Sequence, residues 1–290
     1  MRHRAVRAQA GITLIELVVT IVVSAVVVTF MAMFISGPVN AYTAQARRAE
    51  LVAAADTALR RVGRDVQAAL PNTLRISTDG GVAVLEMLNV VDAARYVATG
   101  DVGSPDGWLD LSVADGAFAT AGRFRSITHP FQSADHYLAI YNVGVPGADA
   151  YEMTGVITPP GTEITIAADA APDVDDVRIA PAFQFSFGSP GQRVYLVDGP
   201  VTWLCDASAG TLTRYSGYAV AASQTDRDTA AELEAAGASA AVVARDVAGC
   251  DFSYAPGTLA RAALLSARLE LSRDGERVVL LHQSHVVNAP

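Results

Sequence analysis

Gly11-Ile12-Thr13-Leu14-Ile15-Glu16 opens the stretch that decides the fold, and the apolar run that it begins continues to Ile35. Only Thr13, Glu16, Thr20, Ser24 and Thr29 interrupt the 24 residues from Ile12 to Ile35. As a helix this run is about 36 Å long, enough to cross a hydrocarbon core of about 30 Å. Before it stands a short basic segment, Met1–Gly11, with Arg2, Arg4 and Arg7 and no acid. Such a segment is expected to stay cytoplasmic, opposed only weakly by Arg47 and Arg48 on the far side. Glu16 is the anomaly. A carboxylate inside a membrane span costs roughly 2.5–3.5 kcal/mol on insertion scales. Either it marks the helix start among the headgroups, or it meets a positive charge at membrane depth.

The basic segment, the Gly-apolar-Thr-Leu-Ile-Glu string and the long apolar run together resemble the signal of type IV prepilins. The resemblance implies that a membrane aspartic peptidase cuts between Gly11 and Ile12 and that the new amine of Ile12 is methylated. It also implies that Glu16 pairs with the amine of a neighbouring subunit during assembly. Ile12 stands where the family usually has phenylalanine. A rival reading is ordinary signal peptidase acting after Ala44-Gln45-Ala46 and releasing a chain that begins at Arg47. The apolar stretch is longer than a signal core of about 7–15 residues, and that reading leaves Glu16 unexplained.

Beyond the apolar run, Gly37-Pro38 is expected to bend or locally melt the helix. Leu51, Ala55, Leu59, Val62, Val66 and Leu70 then recur at spacings of three and four, one face of an amphipathic helix ending at Leu70 before Pro71. From Leu74 the pattern turns to short strands: Gly81–Leu88, His136–Val143, Glu163–Ala167, Ala182–Phe187, Arg193–Cys205, Thr211–Val220, Leu264–Ser272 and Arg277–Val287. Asp274-Gly275 marks a hairpin. Asp169–Asp176 and Ser223–Gly237 read as loops, the second with a helical turn over Ala230–Ala236. The expected class is α+β, pilin-like: one long helix on mostly antiparallel sheet. Its segments are 1–11 (basic leader), 12–37 (transmembrane or filament-core helix), 38–70 (amphipathic continuation) and 71–290 (β-rich periplasmic domain).

Composition limits the chemistry. The 290 residues are 51% hydrophobic, with a formal charge of −9. Without the three leader arginines, 18 arginines face 30 acids, or −12. A body this acidic does not attract nucleic acid, and no nucleic-acid partner is expected. The chain has no lysine, which removes Schiff-base, P-loop and isopeptide chemistry. Association with other subunits is therefore expected to be non-covalent. Cys205 and Cys250 are an even pair in a chain read as exported, and a disulfide is expected over two buried thiols. No nucleophile elbow, dinucleotide loop, His-Glu-x-x-His or Cys-x-x-Cys occurs, so no enzyme and no cofactor is expected. His282 and His285, three apart on a strand, point to opposite faces and cannot share a metal. Asp173, Asp175 and Asp176 have calcium-ligand chemistry but lack the glycine and glutamate of a regular calcium loop, and read as a solvated acidic turn. Trp108 and Trp203 read as core or sheet-surface residues.

Several further strings resemble the MshO-type minor pilins of the mannose-sensitive haemagglutinin (MSHA) pilus. They are Arg47 to Arg61, Arg64-Asp65, Ala69-Leu-Pro-Asn-Thr-Leu-Arg75, Tyr141-Asn142, Gly199-Pro-Val-Thr-Trp-Leu-Cys205, Leu212-Thr-Arg-Tyr-Ser-Gly-Tyr218 and His282 to Pro290. J-type pseudopilins of type II secretion and W-type minor pilins share the same plan and remain alternatives, as does a pilus-associated adhesin or DNA-uptake module. The resemblance implies a subunit that primes assembly near a pilus tip. Its partners are other minor and major pilins, the prepilin peptidase and an inner-membrane assembly platform. Its place is the inner membrane, then the pilus.

Overall fold

The computed structural model describes residues 11–98, 107–257, 262–286 and 288. It opens with one helix, α1 (Leu14–Gln67). A hairpin follows, β1 (Arg75–Asp79) and β2 (Val82–Arg95), then β3 (Asp115–Ala119), β4 (Phe131–Ser133), β5 (Tyr137–Ala139), β6 (Glu163–Ala168) and β7 (Asp175–Phe183). After them come β8 (Arg193–Asp206), β9 (Thr211–Ser216), a short helix α2 (Ala230–Ala235), β10 (Ser239–Arg245), β11 (Val247–Ala255), β12 (Ala263–Arg273) and β13 (Glu276–Val286). The architecture is α+β, a long N-terminal helix followed by antiparallel sheets. The chain divides into two compact units, with the boundary after Glu50.

In the first unit the apolar run is helical from Leu14 onward, and its side chains are exposed. Pro38 lies inside the helix. The melting expected at Gly37-Pro38 does not occur. Proline removes one N–H from the ladder, and helical geometry continues on both sides.

The second unit is organised on β2 and β8, each 14 residues long, paired from Val82↔Asp206 to Arg95↔Arg193. They are central to a six-stranded sheet of order β1-β2-β8-β9-β10, with β5 also on β8. One face of this sheet presents Ala83, Leu85, Met87, Val201, Trp203, Cys205 and Leu212. Against it packs the α1 stripe Leu51, Ala55, Ala58, Leu59, Val62 and Val66, together with the three-stranded sheet β11-β12-β13. Alternation sends Val84, Leu204 and Tyr215 to the opposite face, where Leu233 of α2 covers them. The segment between β2 and β8 builds a four-stranded sheet, β3-β7-β6-β4, around a separate core that includes Phe118, Phe124, Ile164, Ile166, Val177 and Ile179.

Several expectations need correction. The helix stops at Gln67, not Leu70, because Leu70 N–H donates to the Leu88 carbonyl and Val90 N–H to the Ala68 carbonyl, joining this stretch to β2. β1, β3, β4, β10 and β11 lie where no strand is expected. Asp175, expected in a solvated turn, begins β7 and is fully buried. Ala182–Phe187 is not a strand of its own, since β7 ends at Phe183. Of the two tryptophans expected in the core or on a sheet surface, Trp203 is buried and Trp108 is 40% exposed. The loop Ser223–Gly237 does carry its helical turn, α2, fixed by a capping box between Thr229 and Glu232.

Candidate processing and assembly site

Gly11, Ile12 and Thr13 precede the helix in non-helical backbone and are exposed. A Cβ on Gly11 meets nothing within 4 Å. Among the described residues, no contact demands glycine there. The helix starts after Thr13, whose hydroxyl accepts the Glu16 N–H at 3.3 Å and whose carbonyl accepts the Leu17 N–H at 3.1 Å. Thr13 is thus the N-cap and Glu16 the third helical residue, the Thr-x-x-Glu spacing of a capping box. That role of Thr13 was readable from the spacing ahead of an apolar run, yet sequence reasoning passed over it.

Glu16 is exposed, and among the described residues its carboxylate has no partner. It sits in the first turn, where the helix dipole favours negative charge, one turn from Ile12. The surface around it is apolar and bare: Ile12 is 75% exposed, Leu14 82% and Ile15 73%. This is one helix long and apolar enough to cross a membrane. Thr20 and Thr29 hide their hydroxyls by donating to the Leu17 and Ala25 carbonyls, at 2.9 and 2.8 Å. That leaves Glu16 the one acid in a continuous apolar surface, which needs lipid or other helices to cover it.

Cys205 in β8 and Cys250 in β11 are joined by a disulfide, with a Cα–Cα separation of 6.4 Å. It links the six-stranded sheet to the three-stranded one. His282 and His285 pair with Ala267 and Leu264 of β12 and lie on opposite faces of β13. His282 turns toward α1, where a Cβ on Gly63 would come within 2.7 Å of its Nε2.

Three polar clusters that sequence reasoning missed hold the body together. Asp65 of α1 accepts from Trp203 Nε1 at 3.0 Å and from Arg214 Nε at 2.6 Å, which ties the helix to β8 and β9. Buried Glu86 accepts from Arg75 Nε at 2.8 Å and from the Tyr218 hydroxyl at 3.2 Å. Arg75 also lies over the Tyr151 ring at 3.6 Å and donates to the Ala221 and Ala222 carbonyls. Burial pushes the Glu86 carboxyl above the usual range despite the opposing pull of Arg75. Burial, reinforced by Glu86, likewise pushes up the Tyr151 and Tyr218 hydroxyls. Asp175 accepts from the Phe124 N–H at 2.8 Å, meets His129 Nε2 at 3.0 Å, and has Arg123 Nε at 3.6 Å. Arg123 also reaches the Val174 and Asp169 carbonyls, at 3.3 and 3.4 Å. Within this acidic stretch Arg123 faces the Asp175 carboxylate, while its contacts with Val174 and Asp169 go to carbonyls and not to carboxylates. Among the described residues no three His, Cys, Asp or Glu side chains gather closely enough to hold a metal ion.

The family model of the prokaryotic N-terminal methylation motif matches residues 6–32. The match spans the Gly11–Ile12 bond, Glu16 and most of the apolar run, and it supports a type IV pilin-like or pseudopilin-like protein. No curated protein and no solved structure matches the chain.

Proposed function

We propose that this chain is a minor type IV pilin of MshO type, which primes or joins the non-covalent assembly of an MSHA-type pilus near its tip. The observation that carries the reading is an exposed apolar helix, headed by Gly11-Ile-Thr-Leu-Ile-Glu16, inside a matched methylation motif. Prepilin peptidase cuts after Gly11, and the amine of Ile12 is methylated. In the bilayer the helix is covered by lipid. In a filament it is covered by the helices of other subunits, and the Glu16 carboxylate meets the neighbouring terminal amine. Two charges brought together away from water attract more strongly than at an exposed site. The role is structural and uses no cofactor and no catalysis by the chain itself.

The minor assignment draws support from the MSHA-like strings in α1 and β8. It also draws support from the elaborate body, whose second β-core between β2 and β8 is costly to repeat along a whole filament. The partners are other minor and major pilins, the peptidase and the inner-membrane assembly platform. The test is deletion of the gene, with electron microscopy of the cells and quantitation of the subunit in sheared filaments. Loss of filaments, restored by the gene, with the subunit present in trace amounts, supports the reading. A dominant band makes it a major pilin. Normal filaments with failed secretion make it a J-type pseudopilin.

A further inference from the structure

The second unit is acidic, and most of its arginines are matched by acids. Beyond Leu70 the chain has 13 arginines against 26 acids. Arg75, Arg123, Arg214, Arg268, Arg273 and Arg277 each stand within ion-pair distance of a carboxylate. Arg95 and Arg193 differ. Both are exposed, and among the described residues neither meets an acid. Two other strand arginines lack an acid, but Arg178 lies opposite Thr165 and Arg245 opposite Thr211, whereas Arg95 and Arg193 lie opposite each other.

Direct partners across an antiparallel pair leave the same face of the sheet with their Cβ atoms about 5 Å apart, and like charges so placed repel. This pair ends the ribbon of β2 and β8, each 14 residues long. An acid at either position would replace the repulsion by attraction, and the chain instead sets two cations side by side. The turn from Ser189 to Gln192 positions one of them. The Gln192 N–H donates to the Ser189 carbonyl at 2.9 Å, and the Gln192 carbonyl accepts the Tyr96 N–H at 2.8 Å. Gln192 is held at a φ of 54°, left-handed backbone that is uncommon for a residue other than glycine. Its side-chain oxygen accepts from Arg95 Nη2 at 2.7 Å. An amide orients a guanidinium without cancelling its charge, whereas a carboxylate would do both. Arg95 is therefore fixed in place and still fully positive.

We infer that Arg95 and Arg193 form a binding site for a phosphate group, with Gln192 as a positioning residue. A doubly charged tetrahedral oxyanion matches two guanidinium charges and has oxygens for both planar forks. A carboxylate carries one charge and leaves the other arginine uncompensated. The phosphate is either free or the monoester group of a larger molecule. The acidity of the whole body opposes a long polyanion, so the site takes a single phosphate and not a nucleic-acid backbone. The inference does not rest on the pilin reading, because it needs only the folded second unit.

The test uses the full mature chain in a non-ionic detergent, in phosphate-free buffer. It is titrated calorimetrically with sodium phosphate and, separately, with glycerol 3-phosphate, each against sodium chloride at matched ionic strength. Saturable binding at one site per chain, absent with chloride, is expected. Equal affinities mean that the phosphate group alone is recognised. Tighter binding of glycerol 3-phosphate means that the group is carried on a larger ligand. Arg95→Gln and Arg193→Gln should each weaken binding by about tenfold, the order of one lost hydrogen bond between charged groups. Gln192→Glu separates the site from a merely structural turn. It keeps the acceptor for Arg95 and adds the missing negative charge, so the thermal melt should hold or rise while phosphate binding falls by about tenfold. Melts of all three variants establish that each is folded, and if one is not, the other two decide. The inference is overturned if neither phosphate compound binds beyond the chloride control, or if the folded variants bind as the wild type does.

Discussion

On the proposed reading Glu16 combines two roles that pull on the same carboxylate. At the start of α1 it suits the helix dipole and the Thr13 cap, and in an apolar surface it needs a positive partner. Glu16→Ala removes the partner site while Thr13 keeps its bond to the backbone N–H. Cleavage, insertion and the folded body should be unchanged, and incorporation into filaments should fall severalfold, measured as subunit per sheared filament. Normal incorporation would make Glu16 a passive headgroup residue. Asp65 shows the opposite case, an acid whose partners are internal. Asp65→Ala leaves Arg214 and the Trp203 N–H without their acceptor, and should destabilise the body by roughly 2–4 kcal/mol in denaturant unfolding. Glu86 makes a pH prediction. Its folded value is raised, so between the ordinary carboxylate range and that raised value the folded state holds a proton that the unfolded state has lost. The site's contribution to stability therefore rises as pH falls through that window and declines as pH rises. Glu86→Gln is neutral throughout, so its stability relative to wild type should be more favourable at pH 7.5 than at pH 5. A difference that does not change with pH contradicts the account.

Among the elements, α1 was the most legible. Spacings of three and four from Leu51 to Val66 name the face that is buried, because a helix on a sheet needs one continuous apolar stripe. β8, β9, β12 and β13 were legible from their apolar character and from the Asp274-Gly275 turn. β7 was not, because Ala-Pro-Ala at 180–182 reads as a break. Pro181 is tolerated there because pairing with β6 ends at Ala180 and the register of β3 shifts between Asp115 and Ala117. β10 was hidden for another reason: Ser239-Ala-Ala-Val-Val-Ala-Arg245 is an edge strand whose sequence does not alternate, and it buries only Ala244. Asp175 was misread because its partners, Arg123, Phe124 and His129, come from far along the chain. The disulfide joins elements of two different sheets and closes 45 residues. Its removal by Cys205→Ser/Cys250→Ser should lower stability by about 4 kcal/mol in the chain-entropy model. Unfolding of the two proteins in urea under non-reducing conditions measures this. Equal midpoints would mean that packing between β8 and β11 suffices.

At the scale of the whole molecule, the N-terminal 35 residues speak for function and the remainder for architecture. On the proposed reading Gly11, Ile12 and Glu16 belong to a signal read by a peptidase, which must be linear and local, and so they can be picked out of the sequence. The polar clusters around Asp65, Glu86 and Asp175 arise from residues that only folding brings together. What happens at the Gly11–Ile12 bond separates a pilin-like subunit from an ordinary exported chain. Intact mass spectrometry of the chain recovered from the membrane fraction, with sequencing of its N-terminus, tests this most directly. The predicted result is a chain that begins at Ile12, lighter by residues 1–11 and heavier by one methyl group. A chain that still begins at Met1, or one that begins at Arg47, contradicts it.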